Sequence, residues 1–190
     1  MGFATLQVAP TCDTPSAVIS ATPFEGFQFL GWNDGDTANP RLVQVTQDSV
    51  FTAMFAAIPQ YMVVVMAADS TMGTVEGGGL FYTGEQVTIS ATAFEHYYFS
   101  HWNDGNTSNP RIVDVNADTI YTAYFEPENY IVTISANDYT MGAVSGSGEY
   151  AYGTEVAIRA IPFENYGFSG WNDGDTNGER IIIVTRAWTA

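Results

Sequence analysis

The chain has 190 residues, with 21 acidic residues against five arginines, no lysine and a net charge of −16. That balance disfavours nucleic acid and anionic membrane surfaces as partners, because both call for basic patches. No apolar run reaches the ~18 residues of a membrane span, so no insertion is expected.

In chain order, the first landmark is the block that begins at Trp32, WNDGDTANPR. It returns at Trp102 as WNDGNTSNPR and at Trp171 as WNDGDTNGER, 70 and then 69 residues on. Self-similarity at a fixed period marks a repeat array and outranks local propensity. Ile19–Phe55 aligns with Ile89–Phe125 without a gap, and 21 of 37 positions are identical, so the copies share one local fold. Three domains follow: residues 1–55, lacking the opening strand; 61–125, a complete copy; and 130–190, shortened at its C-terminal end. The joints Ala56–Gln60 and Glu126–Asn129 are short and each holds a proline, which predicts beads on a string with semi-rigid connections. Met1-Gly2 aligns with Met72-Gly73, and Trp188-Thr189-Ala190 with Tyr121-Thr122-Ala123. Both ends look cut, and the expectation is a fragment flanked by further domains of a parent protein.

Within a copy the period is two. Val87, Ile89 and Ala91 alternate with Thr88, Ser90 and Thr92; Tyr121, Ala123 and Phe125 alternate likewise. Such alternation marks half-buried strands. Gly77-Gly78-Gly79, Asn103-Asp104-Gly105 and Asn109-Pro110 are turn signals between them. The fold class is therefore all-β: three tandem small modules of about six short strands each. Residues shared by all copies predict the core: Trp32, Trp102 and Trp171; Phe29, Phe99 and Phe168; and Phe24, Phe94 and Phe163.

The run Gly73–Phe125 carries, in order, a Gly-rich hairpin, a strand ending in Ala-Thr and an aromatic-x-Phe-x-x-Trp segment. A turn, Asn-Pro-Arg and a closing Thr-Ala-x-Phe follow. In this order and spacing the run resembles the divergent internalin B-repeat, also called the Listeria–Bacteroides repeat. Copy three departs from the pattern at Gly178-Glu179, which replace Asn-Pro, and in a shorter last turn. The resemblance implies small β-modules strung in tandem on bacterial surface or secreted proteins, beside adhesion domains and without enzymatic activity.

Several residues invite sharper chemistry. The acidic turns Asp34/Asp36, Asp104 and Asp173/Asp175 suggest calcium, but calcium takes six to eight oxygens and these turns offer one or two carboxylates each. They read as hairpin turns, with no metal or cofactor. Arg41, Arg111 and Arg180 each lie nine residues after a tryptophan, on the parity of inward residues. Their stems are expected over the core edge, with heads stacked on the tryptophan or paired with an aspartate. His96 and His101, five apart, are expected on opposite strand faces as surface variation. Cys12, the lone cysteine, reads as a small half-buried hydrophobe. No constellation points to a catalytic residue, and the binding residues are left unassigned.

His96-Tyr97-Tyr98 replaces Gly26-Phe27-Gln28 and Asn165-Tyr166-Gly167, and Tyr98 falls on the outward parity, where its ring would suit a sugar or a protein. Met62, Val64 and Met66 form an apolar face, for which cover by copy one or by a partner, or burial on both faces within copy two, is expected. The reading from sequence is a non-catalytic extracellular array of a bacterial surface or secreted protein, a stalk or adhesion-associated module. The alternative is a module that binds host glycan or host protein through exposed aromatics.

Overall fold

A computed structural model describes residues 1–6, 16–186 and 188–189, the last two without their side chains. Cys12 lies outside the described residues. The chain is all-β, with no helix among the described residues. Copy one holds β1 (Gly2–Leu6), β2 (Ser16–Pro23), β3 (Phe27–Trp32), β4 (Arg41–Gln44) and β5 (Ala53–Ala57). Copy two holds β6 (Gln60–Ala67), β7 (Gly73–Glu76), β8 (Gly79–Tyr82), β9 (Gln86–Ala93), β10 (Tyr97–Trp102), β11 (Arg111–Asp114) and β12 (Thr119–Pro127). Copy three holds β13 (Asn129–Thr133), β14 (Gly142–Ser145), β15 (Gly148–Ala151), β16 (Glu155–Pro162), β17 (Glu179–Ile183) and β18 (Trp188–Thr189).

The chain divides into two compact units, and the division passes through the second copy. The first comprises Met1–Val64, Gly78–Val87 and Ile112–Thr119. The second comprises Val65–Gly77, Thr88–Arg111 and Ile120–Ala190.

In the first unit β2 lies between β1 and β4, and β3 pairs with β5, all antiparallel. The alternation of β2 puts Ala17, Ile19 and Ala21 inward, where they pack with Trp32 and Val43. Phe29, Phe51 and Phe55 close around them. The antiparallel strand pair β6–β8 has its paired residues, 60–63 and 79–82, in the same unit. A Cβ on Gly2 would lie 2.7 Å from the Phe55 ring, so the closing aromatic is seated where the glycine has no side chain.

In the second unit β7 pairs with β9, and β10 with β12 across a bulge between Phe99 and His101. β13 lies between β15 and, in parallel, β18, while β16 lies between β14 and β17. Val132, Ile134, Val156, Ile158, Trp171 and Val184 form the core of copy three, with Phe168 against it. The Gly73 Cα meets Phe125 as Gly2 meets Phe55: an added Cβ would lie 2.6 Å from the ring.

The tryptophans that open the three repeated blocks are core residues, 2%, 0% and 7% exposed at Trp32, Trp102 and Trp171. Phe29, Phe99 and Phe168 meet them at ring separations of 5.5, 5.3 and 5.1 Å. The expectation for Phe24, Phe94 and Phe163 fails, since they are 54%, 44% and 47% exposed. Each opens a turn rather than continuing a strand: the amides of Phe27, Tyr97 and Tyr166 donate to their carbonyls. Strand alternation does not extend into a turn, so a ring shared by every copy here belongs to the turn and not to the core.

Candidate functional site

The repeated element nearest to a site is the turn that follows each tryptophan. Gly35, Gly105 and Gly174 adopt φ of 86°, 81° and 91°, a region that a side chain disfavours. This lets the Gly35 amide donate to the Trp32 carbonyl at 2.9 Å and the Trp32 amide to Asp36 O at 2.8 Å. The indole N–H groups donate to Ala38 O, Ser108 O and Asn177 O at 2.9, 3.0 and 2.8 Å. Each buried indole thus satisfies its one donor on the turn it anchors.

The arginines close the turn. Arg41 gives a forked pair to Asp34, with Nη1 to Oδ1 at 2.7 Å and Nη2 to Oδ2 at 2.6 Å, and its Nε lies 3.4 Å from Asp36. Its guanidinium lies 5.9 Å from the Trp32 ring and 5.2 Å from Phe51. Arg111 Nη1 reaches both Asp104 oxygens, at 2.9 and 2.8 Å, and stands 5.1 Å from Tyr121. Arg180 straddles Asp173 at 2.7 Å and Asp175 at 3.1 Å, 5.5 Å from Trp171. Pairing with an aspartate is present in all three copies; stacking on the tryptophan is present at Arg41 and Arg180, whereas Arg111 stands over Tyr121.

The carboxylates respond accordingly. The Arg41 hydrogen bond holds Asp34 down to about 2 from the ordinary 3.8, and the Asp34 partnership raises Arg41. At Asp104 partial burial pushes upward, but Arg111 and the Asn106 amide outweigh it and the group is lowered. Asp173 is lowered first by Arg180, and Asp175 first by the Asn177 amide. These oxygens also accept turn amides, Asp36 from Ala38 at 2.8 Å and Asp175 from Asn177 at 2.8 Å. The acidic turns are thus engaged by arginine and backbone. Among the described residues no three His, Cys, Asp or Glu side chains gather as metal ligands.

A second cluster is peculiar to copy two. The Tyr98 hydroxyl donates to Glu126 Oε2 at 2.7 Å, and Ser100 Oγ donates to Oε1 at 2.8 Å. These bonds lower the Glu126 carboxyl and raise the Tyr98 hydroxyl. Next to them His101 stacks on Tyr124, with centroids 4.9 Å apart and planes within 7°. Tyr98 and Tyr124 are both exposed, as expected for Tyr98. The sequence reading missed Tyr124 and Glu126. Register supplies the signal, because Tyr98 stands opposite Glu126 and His101 opposite Tyr124. Copy one has Gln28, Gly31, Met54 and Ala56 at these positions.

His96 corrects an expectation. It is not on a strand but in the turn before β10, at φ 71°, so the five-residue parity with His101 does not apply. Nor is it mere surface variation: its ring stacks on Tyr152 at 4.4 Å, and Nδ1 lies 2.8 Å from the Tyr130 hydroxyl. The cover expected over Met62, Val64 and Met66 also fails in part. Val64 is half-buried, but Met62 and Met66 are exposed. A cavity of about 600 Å³ opens in copy three, lined by Asn137, Met141, Gly142, Phe168 and Trp171 among others.

Beyond the geometry, a family model described as the divergent InlB B-repeat domain matches residues 8–59, 63–129 and 132–182. Nothing among the curated proteins or the solved structures matches the chain. The matched family is one of non-catalytic repeat domains, typical of bacterial surface proteins. No helix among the described residues is long and apolar enough to cross a membrane. Three tandem matches, three buried tryptophans and three arginine-closed turns lead to one assignment: the chain belongs to the divergent InlB B-repeat family.

Proposed function

We propose that the chain is a non-catalytic extracellular array of a bacterial surface or secreted protein, acting as a spacer that presents an adhesive neighbour. The observation that carries this reading is the threefold construction of one structural element. The side chains with the greatest chemical reach, the periodic aspartates and arginines, are engaged with each other in every copy. A net charge of −16 keeps neighbouring arrays apart. The experiment places the whole chain between a surface anchor and a reporter adhesin. The intact array supports reporter binding, and the triple variant Trp32→Ala, Trp102→Ala, Trp171→Ala does not. Capture of host cells by the array alone, without the reporter, overturns the spacer reading.

One observation favours a second reading, a binding module for host glycan or host protein. Tyr98, His101, Tyr124 and Glu126 form an exposed aromatic and acidic face that copy one lacks. A ring face stacks on the C–H side of a sugar while a carboxylate accepts its hydroxyls. Glycan arrays probed with the whole chain and with Tyr98→Ala/Tyr124→Ala decide it. Binding lost in the double variant supports a module; no binding by either protein removes it.

A further inference from the structure

The two joints between copies are built from the same two backbone hydrogen bonds. At the first, the Ile58 amide donates to Gly26 O at 2.9 Å, and Pro59 O accepts from the Thr83 amide at 2.9 Å. At the second, the Glu128 amide donates to His96 O at 2.8 Å, and Glu128 O accepts from the Tyr152 amide at 2.8 Å. Glu128 alone therefore does what Ile58 and Pro59 share, and this accounts for the period of 69 rather than 70 across the second joint. Each joint ties the turn of one copy to an antiparallel strand pair of the next, β6–β8 at the first joint and β13–β15 at the second.

The side chains at these tied points are exchanged in size. Gly26 and His96 are equivalent and both left-handed, with φ of 78° and 71°. On the following strand pair Tyr82 stands opposite Gln60, and its equivalent Ala151 opposite Asn129. In the first joint the large group comes from the strand pair. A Cβ on Gly26 would lie 2.7 Å from the Tyr82 hydroxyl, so a side chain there requires the tyrosine to move. In the second joint the strand pair offers alanine, and the large group comes from the turn. The His96 ring stacks on Tyr152 within 18° of parallel, and Tyr97 meets the same Tyr152 ring edge-on at 5.7 Å. The Tyr130 hydroxyl gives its proton to Glu128 Oε2 at 2.8 Å. Its oxygen therefore accepts from His96 Nδ1–H.

We propose that the joints are size-matched sockets, in which position 26 or 96 of one copy and position 82 or 151 of the next act as a pair. Glycine is matched by tyrosine, and histidine by alanine. The kind of partner each turn fits is the strand pair of a copy bearing the complementary residue, so the copies are not interchangeable along the array. This inference stands apart from the spacer reading, since it concerns how copies join and not what the array presents.

Hydrogen exchange on the whole chain tests it. His96→Gly suits the left-handed backbone and removes the whole side chain, ring included. The amides of Glu128 and Tyr152 should exchange faster by about tenfold, the loss expected from one ring stack and one side-chain hydrogen bond. Those of Ile58, Thr83 and the strand residue Ile158 should be unchanged. Adding Ala151→Tyr to His96→Gly transplants the first joint's pair into the second and should restore protection. Unchanged exchange in His96→Gly, or failure of Ala151→Tyr to restore it, overturns the proposal.

Discussion

The closing of the turn in copy one and in copy three uses different atoms for the same end. In copy one Asn39 clamps the strand β2 from its side chain: Oδ1 accepts the Ala21 amide at 2.9 Å and Nδ2 donates to Ala21 O at 2.7 Å. Copy two repeats the clamp with Asn109 and Ala91, at 2.9 and 2.6 Å. Copy three has no asparagine there. The Ala160 amide instead donates to the carbonyl of Gly178 at 2.7 Å, so backbone replaces side chain. The arginine shifts in parallel: Arg41 forks onto Asp34 with Asp36 farther off at 3.4 Å, whereas Arg180 reaches Asp173 and Asp175 at 2.7 and 3.1 Å. The fixed requirements are thus a buried indole, a capped turn and a guanidinium between ring and carboxylate. Which residue supplies the strand clamp is negotiable.

The largest expected effect leaves the comparison intact and confirms its common part. Trp32→Ala or Trp171→Ala removes the central side chain of a small core and should cost about 3–5 kcal/mol, the range for large-to-small core changes. Thermal melts of the whole chain should show the affected copy unfolding well before the others. A second experiment breaks the comparison. Asn39→Ala leaves the Ala21 amide and carbonyl without their partners and should cost about 1–3 kcal/mol. Urea titration checks it, and no loss of stability would mean that the side-chain clamp is dispensable in copy one as well.

Acid sharpens the comparison through the carboxylates. Asp34 is held near 2 in the folded chain against the ordinary 3.8. A lowered value means that folding favours the charged form. The contribution is complete above about pH 3.8 and is lost as pH falls toward 2. Carboxyl chemical shifts followed from pH 5 downward should show Asp34 titrating late, and Arg41→Gln should return it toward the ordinary range. The smallest effect is expected at Gly178→Ala. A Cβ there would sit 3.6 Å from Ala160 O and 3.8 Å from the Phe168 ring, ordinary contact distances. The backbone bond survives, so the cost should stay within about 0.5 kcal/mol in the same urea titration.

Much of the fold is legible in the amino-acid sequence. The period of the tryptophan block, the alternation in Val87–Thr92 and the glycine-bearing turns lead to three all-β copies around Trp32, Trp102 and Trp171. The arginine's double role is legible too, because three of five arginines recur at one offset and share the inward parity. Phe24, Phe94 and Phe163 mislead for the same reason that the tryptophans inform. Residues shared among copies mark whatever the module needs, and a module needs its turns as well as its core. The clusters at Tyr98–Glu126 and His101–Tyr124 are not legible there, since they join side chains from β10 and β12.

The sequence by itself determined the repeat, the strand class and the core tryptophans, because periodicity and alternation are local properties that need no knowledge of what lies across the sheet. Tertiary structure alone decided the rest. It turned His96 from a bystander into a joint residue stacked on Tyr152, and it left Met62 and Met66 exposed where cover was expected. It also put the Gly178 carbonyl where asparagine stands elsewhere. The physical reason is common to all three: hydrogen bonds and ring contacts are set by distances between segments far apart in the chain, and sequence spacing does not encode those distances.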